Sequence, residues 1–73
     1  MRGKVSVVIE QDKQGFYAWC PELKGCQSQG KTVEETLFRI REAIEVFLET
    51  LTDEERSAAL SQEILTTAVE VHA

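Results

Sequence analysis

The residues best suited to chemistry are two cysteines in the stretch AWCPELKGCQSQGKTVEE, residues 18–35. A structural zinc site needs four ligands, and the chain offers only Cys20, Cys26 and His72, which lies far along the sequence. A redox pair of the thioredoxin type would be C-x-x-C, whereas the spacing here is C-x5-C. A disulfide is sterically possible but disfavoured in the cytoplasm. We therefore predict that both cysteines are reduced, metal-free and structural, with Pro21 and Gly25 shaping the connection between two short strands.

Other catalytic patterns are absent from the sequence. It contains no Gly-rich phosphate loop, no H-E-x-x-H and no Ser/His/Asp set with supportive spacing. Most carboxylates fall on one predicted helix, where a solvated face is the ordinary explanation. The sequence predicts no enzyme and no cofactor.

Size and charge favour a protein partner. The 73 residues predict a single domain, 1–73, and a chain this short buries only about 60% of its unfolded surface, so burial against another chain would stabilise it. Residues 1–31 carry five basic and three acidic side chains, whereas residues 32–73 carry three basic and ten acidic ones. The acidic half disfavours nucleic acid and suits a basic protein, although in an arbitrary acidic domain such charges more often serve only to keep the protein soluble. Without a signal peptide or a long apolar run, we expect a cytoplasmic protein.

The elements that position these residues follow from periodicity. Alternation predicts a strand over 4–12 and a return strand over 16–20, joined by the turn DKQG at 12–15, and a third short strand over 26–30. Apolar residues three and four apart predict a helix over 33–51, namely Val33, Leu37, Ile40, Ile44, Phe47, Leu48 and Leu51.

Capping signals and β-branched residues predict the rest of the chain. Thr32 with Glu35, and Thr52 with Glu55, match the capping-box pattern, and the second pair predicts a short helix near 53–60. Residues 63–71 predict a last strand. The fold class is thus α+β, a small, mainly antiparallel sheet in the order β-β-β-α-(α)-β with one long helix packed on one face.

Two surfaces are candidate interfaces. Val8, Tyr17 and Trp19 fall on the sheet face opposite Val5, Val7 and Ile9, so we predict that a second copy or a partner covers them, giving a homodimer or larger. On the helix, a wheel at about 100° per residue groups Phe38 with four carboxylates on a flank of the apolar stripe, namely Glu34, Glu42, Glu45 and Glu49. This flank is a candidate anchor for a basic partner, although Phe38 could equally cover the edge of the core or a homodimer contact.

The stretch GFYAWCPELKGCQSQGKTVEETLFRIREAIEVFL, residues 15–48, resembles the HicB family, the antitoxins of HicA–HicB toxin–antitoxin pairs. The family pattern is a hairpin ending in G-[FY]-x-A-x-C/V-P-x-L-x-G-C, a short strand, a glycine and then a helix opening with T-x-x-E-A. The matching positions are Gly15, Ala18, Pro21, Leu23, Gly25, Cys26, Gly30, Thr32 and Glu35, while Thr36 replaces the usual alanine.

The resemblance implies a β-β-β-α-β core similar to a partial ribonuclease H fold. It also implies neutralisation of a HicA-type toxin, a small basic protein that cleaves messenger RNA, by covering its active surface. Longer HicB proteins add a DNA-binding domain, and the chain's tail resembles none, so we expect no direct DNA binding. The alternatives are a degenerate ribonuclease H-like nuclease, for which only Glu10 and Asp12 lie near the first strand's end, and an orphan oligomeric module of unknown ligand.

Overall fold

The structure is a computed structural model that describes residues 3–72. It contains three strands followed by two helices, β1 (Val8–Asp12), β2 (Gly15–Trp19), β3 (Gln27–Gly30), α1 (Val33–Glu49) and α2 (Asp53–Leu60). The strands form one antiparallel sheet in the order β1-β2-β3. This confirms the α+β class, the three strands and both helices.

The β1–β2 hairpin forms where the turn residues predict it. The Asp12 carboxylate accepts hydrogen bonds from the backbone N–H groups of Gln14 and Gly15, at 2.8 and 3.1 Å. Gly15 has φ of +143°, a conformation that other residues rarely adopt. Strand β1 starts at Val8, later than the predicted residue 4, because Val8 pairs with Trp19, the last residue of β2. Beyond Trp19 the chain turns at Pro21, so residues 4–7 lack a partner strand.

The core lies between one face of the sheet and α1. Its buried apolar residues are Ala18, Cys20, Leu23, Cys26, Ile40 and Ala59. Thr36 is also fully buried, and its hydroxyl donates to the carbonyl oxygen of Thr32 at 2.7 Å. A Cβ atom on Gly30 would lie 2.7 Å from Thr36 Oγ1 and 2.9 Å from Thr36 N. The start of α1 therefore packs on β3 at a distance that only glycine permits.

Five of the seven residues in the predicted apolar stripe of the long helix contact the core, namely Ile40, Ile44, Phe47, Leu48 and Leu51, but the first two do not. Val33 and Leu37 were expected in the apolar stripe, yet they are 41% and 44% exposed. Thr36 is buried and Ala43 packs against the core instead. The small side chains of Thr36 and Ala43 allow α1 to approach the sheet closely. Hydropathy alone does not predict that this side of the helix must carry small residues.

Both helices are capped, and the caps differ in one detail from the prediction. Thr52 and Glu55 form the full reciprocal capping box at the start of α2. At the start of α1, Thr32 accepts from Glu35 N as predicted, but the Glu35 carboxylate accepts from Lys31 N at 2.8 Å rather than from Thr32 N. The Glu35 carboxylate therefore satisfies the backbone one residue before the predicted position.

Arg56 joins the two helices. Its Nε and NH2 groups donate to the carbonyl oxygen of Leu48, at 3.2 and 3.1 Å, and NH2 also donates to that of Leu51 at 3.2 Å. Its NH1 group pairs with Asp53 at 3.1 Å. The guanidinium thus satisfies carbonyls at the end of α1, whose last turn has no basic residue of its own.

The predicted last strand, residues 63–71, is not formed in the structure. Residues 61–72 are exposed, and residues 62–72 are in neither helix nor strand. A β-branched composition favours a strand only where a neighbouring strand supplies the other half of the hydrogen-bond ladder. Within residues 3–72 the sheet has three strands, so the fourth strand implied by the resemblance to a ribonuclease H fold is missing. Neither described helix is long and apolar enough to span a membrane.

Candidate partner-binding surface

The four helix carboxylates and Phe38 lie together on the exposed side of α1, and we call this set the acidic patch: Glu34, Phe38, Glu42, Glu45 and Glu49. At about 100° per residue the five positions fall within about 80° of one another, with Phe38 in the middle. Phe38 lies about 160° around the axis from the buried Thr36 and Ile40. The patch therefore faces away from the sheet, whereas the wheel had placed it on a flank of the core stripe.

Phe38 is the most unusual member of the patch because 65% of its surface is exposed. It also lines a groove beside α1 together with Val7 and Ile40, so its assignment to a partner interface rather than to the edge of the core stays a prediction. A large apolar side chain ringed by carboxylates is the arrangement expected of an anchor residue at a protein interface.

The patch carboxylates are electrostatically uncompensated. Of the ion pairs found among residues 3–72, Arg39–Glu35 and Arg56–Asp53, neither involves the patch. Arg41 lies one helical turn before Glu45, yet these two residues form no ion pair. Glu42, Glu45 and Glu49 therefore repel one another at helical spacings of three and four, which costs a few tenths of a kcal/mol per pair. A basic partner would remove that cost.

The outer face of the sheet carries the second predicted set. Val8 and Trp19 are directly paired across the strands, and Tyr17 lies on the same side. Trp19 Nε1 donates to the Glu10 carboxylate at 3.2 Å, and the Tyr17 hydroxyl donates to the side-chain oxygen of Gln27. Each aromatic ring therefore keeps its polar atom satisfied while its apolar part stays partly exposed. The structure brings the three residues together as predicted, and their role in an oligomer interface stays a prediction.

The cysteines lie at the ends of adjacent strands, as the sequence predicted. Cys20 and Cys26 are 3% and 4% exposed and both are free thiols. The backbone N–H of Cys20 donates to the carbonyl of Cys26 at 3.2 Å, which closes the loop between them. Burial, assisted by the neighbouring Cys26, raises the pKa of Cys20 to about 12, and burial also raises that of Cys26. Both thiols are protonated at neutral pH and therefore poor nucleophiles and metal ligands.

The acidic residues considered for a nuclease already have structural roles. Glu10 accepts from Trp19, and Asp12 accepts from the turn backbone. Within residues 3–72 no group of three His, Cys, Asp or Glu side chains is arranged to hold a metal ion. Nothing in the described part of the chain therefore supports two-metal chemistry.

An apolar groove is the feature that the sequence did not predict. It has a volume of about 1470 Å³ and lies between the segment before β1 and α1, with lining residues that include Val5, Val7, Leu37, Ile40, Ile44 and Leu48. The segment before β1 is held in part by Glu22, whose carboxylate accepts from Ser6 N at 3.0 and 3.2 Å. Leu37, which lines this groove, was the one residue that could have indicated it, but its hydropathy led to its assignment to the core.

A family model describing the HicB-like antitoxin of bacterial toxin–antitoxin systems matches residues 5–71. The chain belongs to the HicB-like antitoxin family. This confirms the resemblance seen in the hairpin, the Pro/Gly loop and the helix cap. The match spans the cysteine loop, the acidic patch and most of the segment after α2.

Curated relatives of this HicB-like chain occur in bacteria and archaea. A UPF0150 protein of Helicobacter pylori is 54% identical over 44 residues, which cover 60% of this chain and 61% of the relative. A UPF0150 protein of Synechocystis is 49% identical over 47 residues, covering 63% and 60%. One of Archaeoglobus fulgidus is 45% identical over 47 residues, covering 63% and 68%. The chain thus aligns with about three fifths of the first two relatives. No solved structure matches it.

Proposed function

We propose that this HicB-like domain binds and neutralises a small basic toxin of the HicA type through the acidic patch on α1. The observation that carries the proposal is Phe38, which is 65% exposed on the side of α1 that faces away from the sheet. It lies among four carboxylates that form no ion pair within residues 3–72. Membership of an antitoxin family supplies the class of partner.

The chemistry of the patch suits a toxin that binds messenger RNA. A protein that binds RNA presents Lys and Arg to phosphate groups, and the patch presents carboxylates of opposite charge around one apolar anchor. Covering those cations would block access of the RNA. The complex would act in the cytoplasm, where messenger RNA is translated.

The test uses a purified HicA-type toxin, and a short basic open reading frame beside the gene would identify which one. We expect Phe38→Ala to weaken binding by more than ~1 kcal/mol, about fivefold, as the loss of a buried anchor does. Val46→Ala is the matched control, because Val46 is 62% exposed on the same helix but lies outside the patch. Both variants are checked for normal folding by circular dichroism.

The charges are tested separately from the anchor. Replacing Glu42 and Glu45 by Lys should slow association and flatten its dependence on salt, since exposed charges act mainly on the rate of encounter. Unchanged affinity for Phe38→Ala together with an unchanged salt response for the charge variant would show that the toxin binds elsewhere.

A further inference from the structure

The segment after α2 is built like a strand but has no partner in the structure. Leu65, Val69 and Val71 are 91%, 78% and 75% exposed, and their even spacing places them on one side of an extended chain. Within the described residues, no hydrogen bond involves residues 62–72. A row of exposed apolar side chains with a free backbone is a strand that lacks its sheet.

The free edge of β1 and the apolar groove beside it form a surface to which such a strand could add. Strand β1 is an edge strand, since β2 is its one neighbour in the described sheet, so one side of its backbone is free to pair. The apolar groove lies beside the segment that leads into β1 and contains Val5, Val7 and Leu37. An added strand along this edge would direct its apolar row into the groove.

Length and charge match the two surfaces to each other. At about 3.3 Å per residue, residues 62–72 extend over about 36 Å and residues 3–12 over about 33 Å. The charged residues that line the groove are Lys4, Arg41, Arg56 and Glu45, so the lining has a net positive charge. Neither Lys4 nor Arg41 forms an ion pair within residues 3–72. The segment carries Glu63 and Glu70 and no basic residue other than His72. Opposite charges therefore meet when the segment lies in the groove.

The conformation of the segment favours a second copy as its acceptor. Its residues are exposed throughout, so it does not fold back onto its own groove. The Cα radius of gyration is 13.9 Å, whereas a compact chain of this length has about 11 Å. We propose that two copies exchange this segment, so that residues 62–72 of each copy add a strand to the β1 edge and fill the groove of the other. Exchange in both directions doubles the buried surface, as a two-fold symmetric dimer requires. This proposal does not rest on the toxin-binding function, although the groove shares Phe38 and Glu45 with the acidic patch.

The experiment asks whether the segment and the groove meet between chains. One chain carries Leu37→Cys in the groove and the other carries Val69→Cys in the segment. After mixing and equilibration, a short bismaleimide should link them into a covalent heterodimer, measured by mass spectrometry. The native Cys20 and Cys26 are buried, and the parent chain treated with the same reagent reports any background. Val46→Cys replaces Leu37→Cys as the control, because Val46 is exposed but does not line the groove.

Each outcome decides the matter. A heterodimer in the Leu37 mixture and none in the Val46 mixture supports exchange. A chain carrying both Leu37→Cys and Val69→Cys that links only to itself would show docking within one copy and overturn the proposal. Absence of any link would show that the segment serves another protein, and would overturn it too.

Solution measurements separate this interface from the outer sheet face. Val69→Asp should raise the dissociation constant of the dimer about tenfold or more in sedimentation, because it places a charge in an apolar contact. Trp19→Ala should leave an exchanged dimer intact, since Trp19 lies on the outer face of the sheet. A dimer that is sensitive to Trp19→Ala and indifferent to Val69→Asp would refute exchange.

Discussion

Replacing Gly30 by alanine should lower the stability of the whole domain, although the change adds one methyl group. The new Cβ atom would lie 2.7 Å from Thr36 Oγ1, 2.9 Å from Glu35 Oε1 and 2.9 Å from Thr36 N. The Glu35 side chain can move, but the backbone nitrogen of Thr36 cannot move without the first turn of α1. Overpacking of this kind costs about 1–3 kcal/mol, equivalent to about 4–8 °C in Tm for each kcal/mol in a domain of this size.

The measurement is urea unfolding at fixed protein concentration, followed by the fluorescence of Trp19, the single tryptophan. Gly25 is the matched control because its φ is +87° and an added Cβ would meet nothing within 4 Å. Gly25→Ala should cost about 1–2 kcal/mol through backbone strain alone, and Gly25→Asn should recover part of that cost because Asn tolerates this conformation. Gly30→Asn should lower the free energy of unfolding more than Gly30→Ala does, because the contact with Thr36 leaves no room for a larger side chain at this position. If Gly30→Ala unfolds within about 0.5 kcal/mol of the parent chain, the close approach of α1 to β3 is refuted.

Three further predictions follow from the caps, the thiols and the outer sheet face. Arg56→Ala should lower the free energy of unfolding by about 1–3 kcal/mol in thermal melts, because it removes the donor to the Leu51 carbonyl and two donors to that of Leu48, which keeps its bond from Leu51 N. Asp53→Ala, which removes only an exposed ion pair, should cost under about 1 kcal/mol in the same measurement. Stability should fall as pH rises from about 9, the ordinary thiol pKa, towards about 12, the raised pKa of Cys20, since the unfolded chain loses the proton first. Cys20 contributes at most about 1.4 kcal/mol per pH unit to this slope, and the raised pKa of Cys26 adds to it in the same direction. Cys20→Ala should therefore make the slope smaller, and a parent chain with constant stability over that range would contradict the burial of the thiol. If the outer face forms a homodimer contact, Trp19→Ala should yield monomers at low micromolar concentration, and an unchanged sedimentation coefficient would exclude that face.

The sequence correctly predicted the features that depend on residues close together in the chain. Asp12 and Gly15 fixed the hairpin turn, and Thr52 with Glu55 fixed the start of α2, because the groups that bond to one another lie within three residues. The acidic patch was also predictable, since helical periodicity alone groups its residues.

Features that depend on distant contacts were predicted poorly. Leu37 was assigned to the core because it is apolar, yet the fit of Thr36 against Gly30 decides which side of α1 is buried. The segment 63–71 was assigned to a strand from its composition, but a strand depends on an edge that its own sequence does not specify. The groove was missed for the same reason, as its walls come from residues far apart in the chain.

The Arg56 guanidinium has a consequence for how the domain opens. An eight-residue helix is unstable by itself in water, and α1 ends without a cation of its own. One side chain on α2 bonds to the Leu48 carbonyl in the last turn of α1 and to the Leu51 carbonyl between the helices, so fraying of either helix breaks bonds that hold the other. The end of α1 and all of α2 should therefore form one cooperative unit in hydrogen exchange, with shared amide protection that is lower than that of β2 and the middle of α1. Local unfolding of that unit would expose Ala59, so the part of the core that opens most easily lies at the junction of the two helices rather than in the sheet.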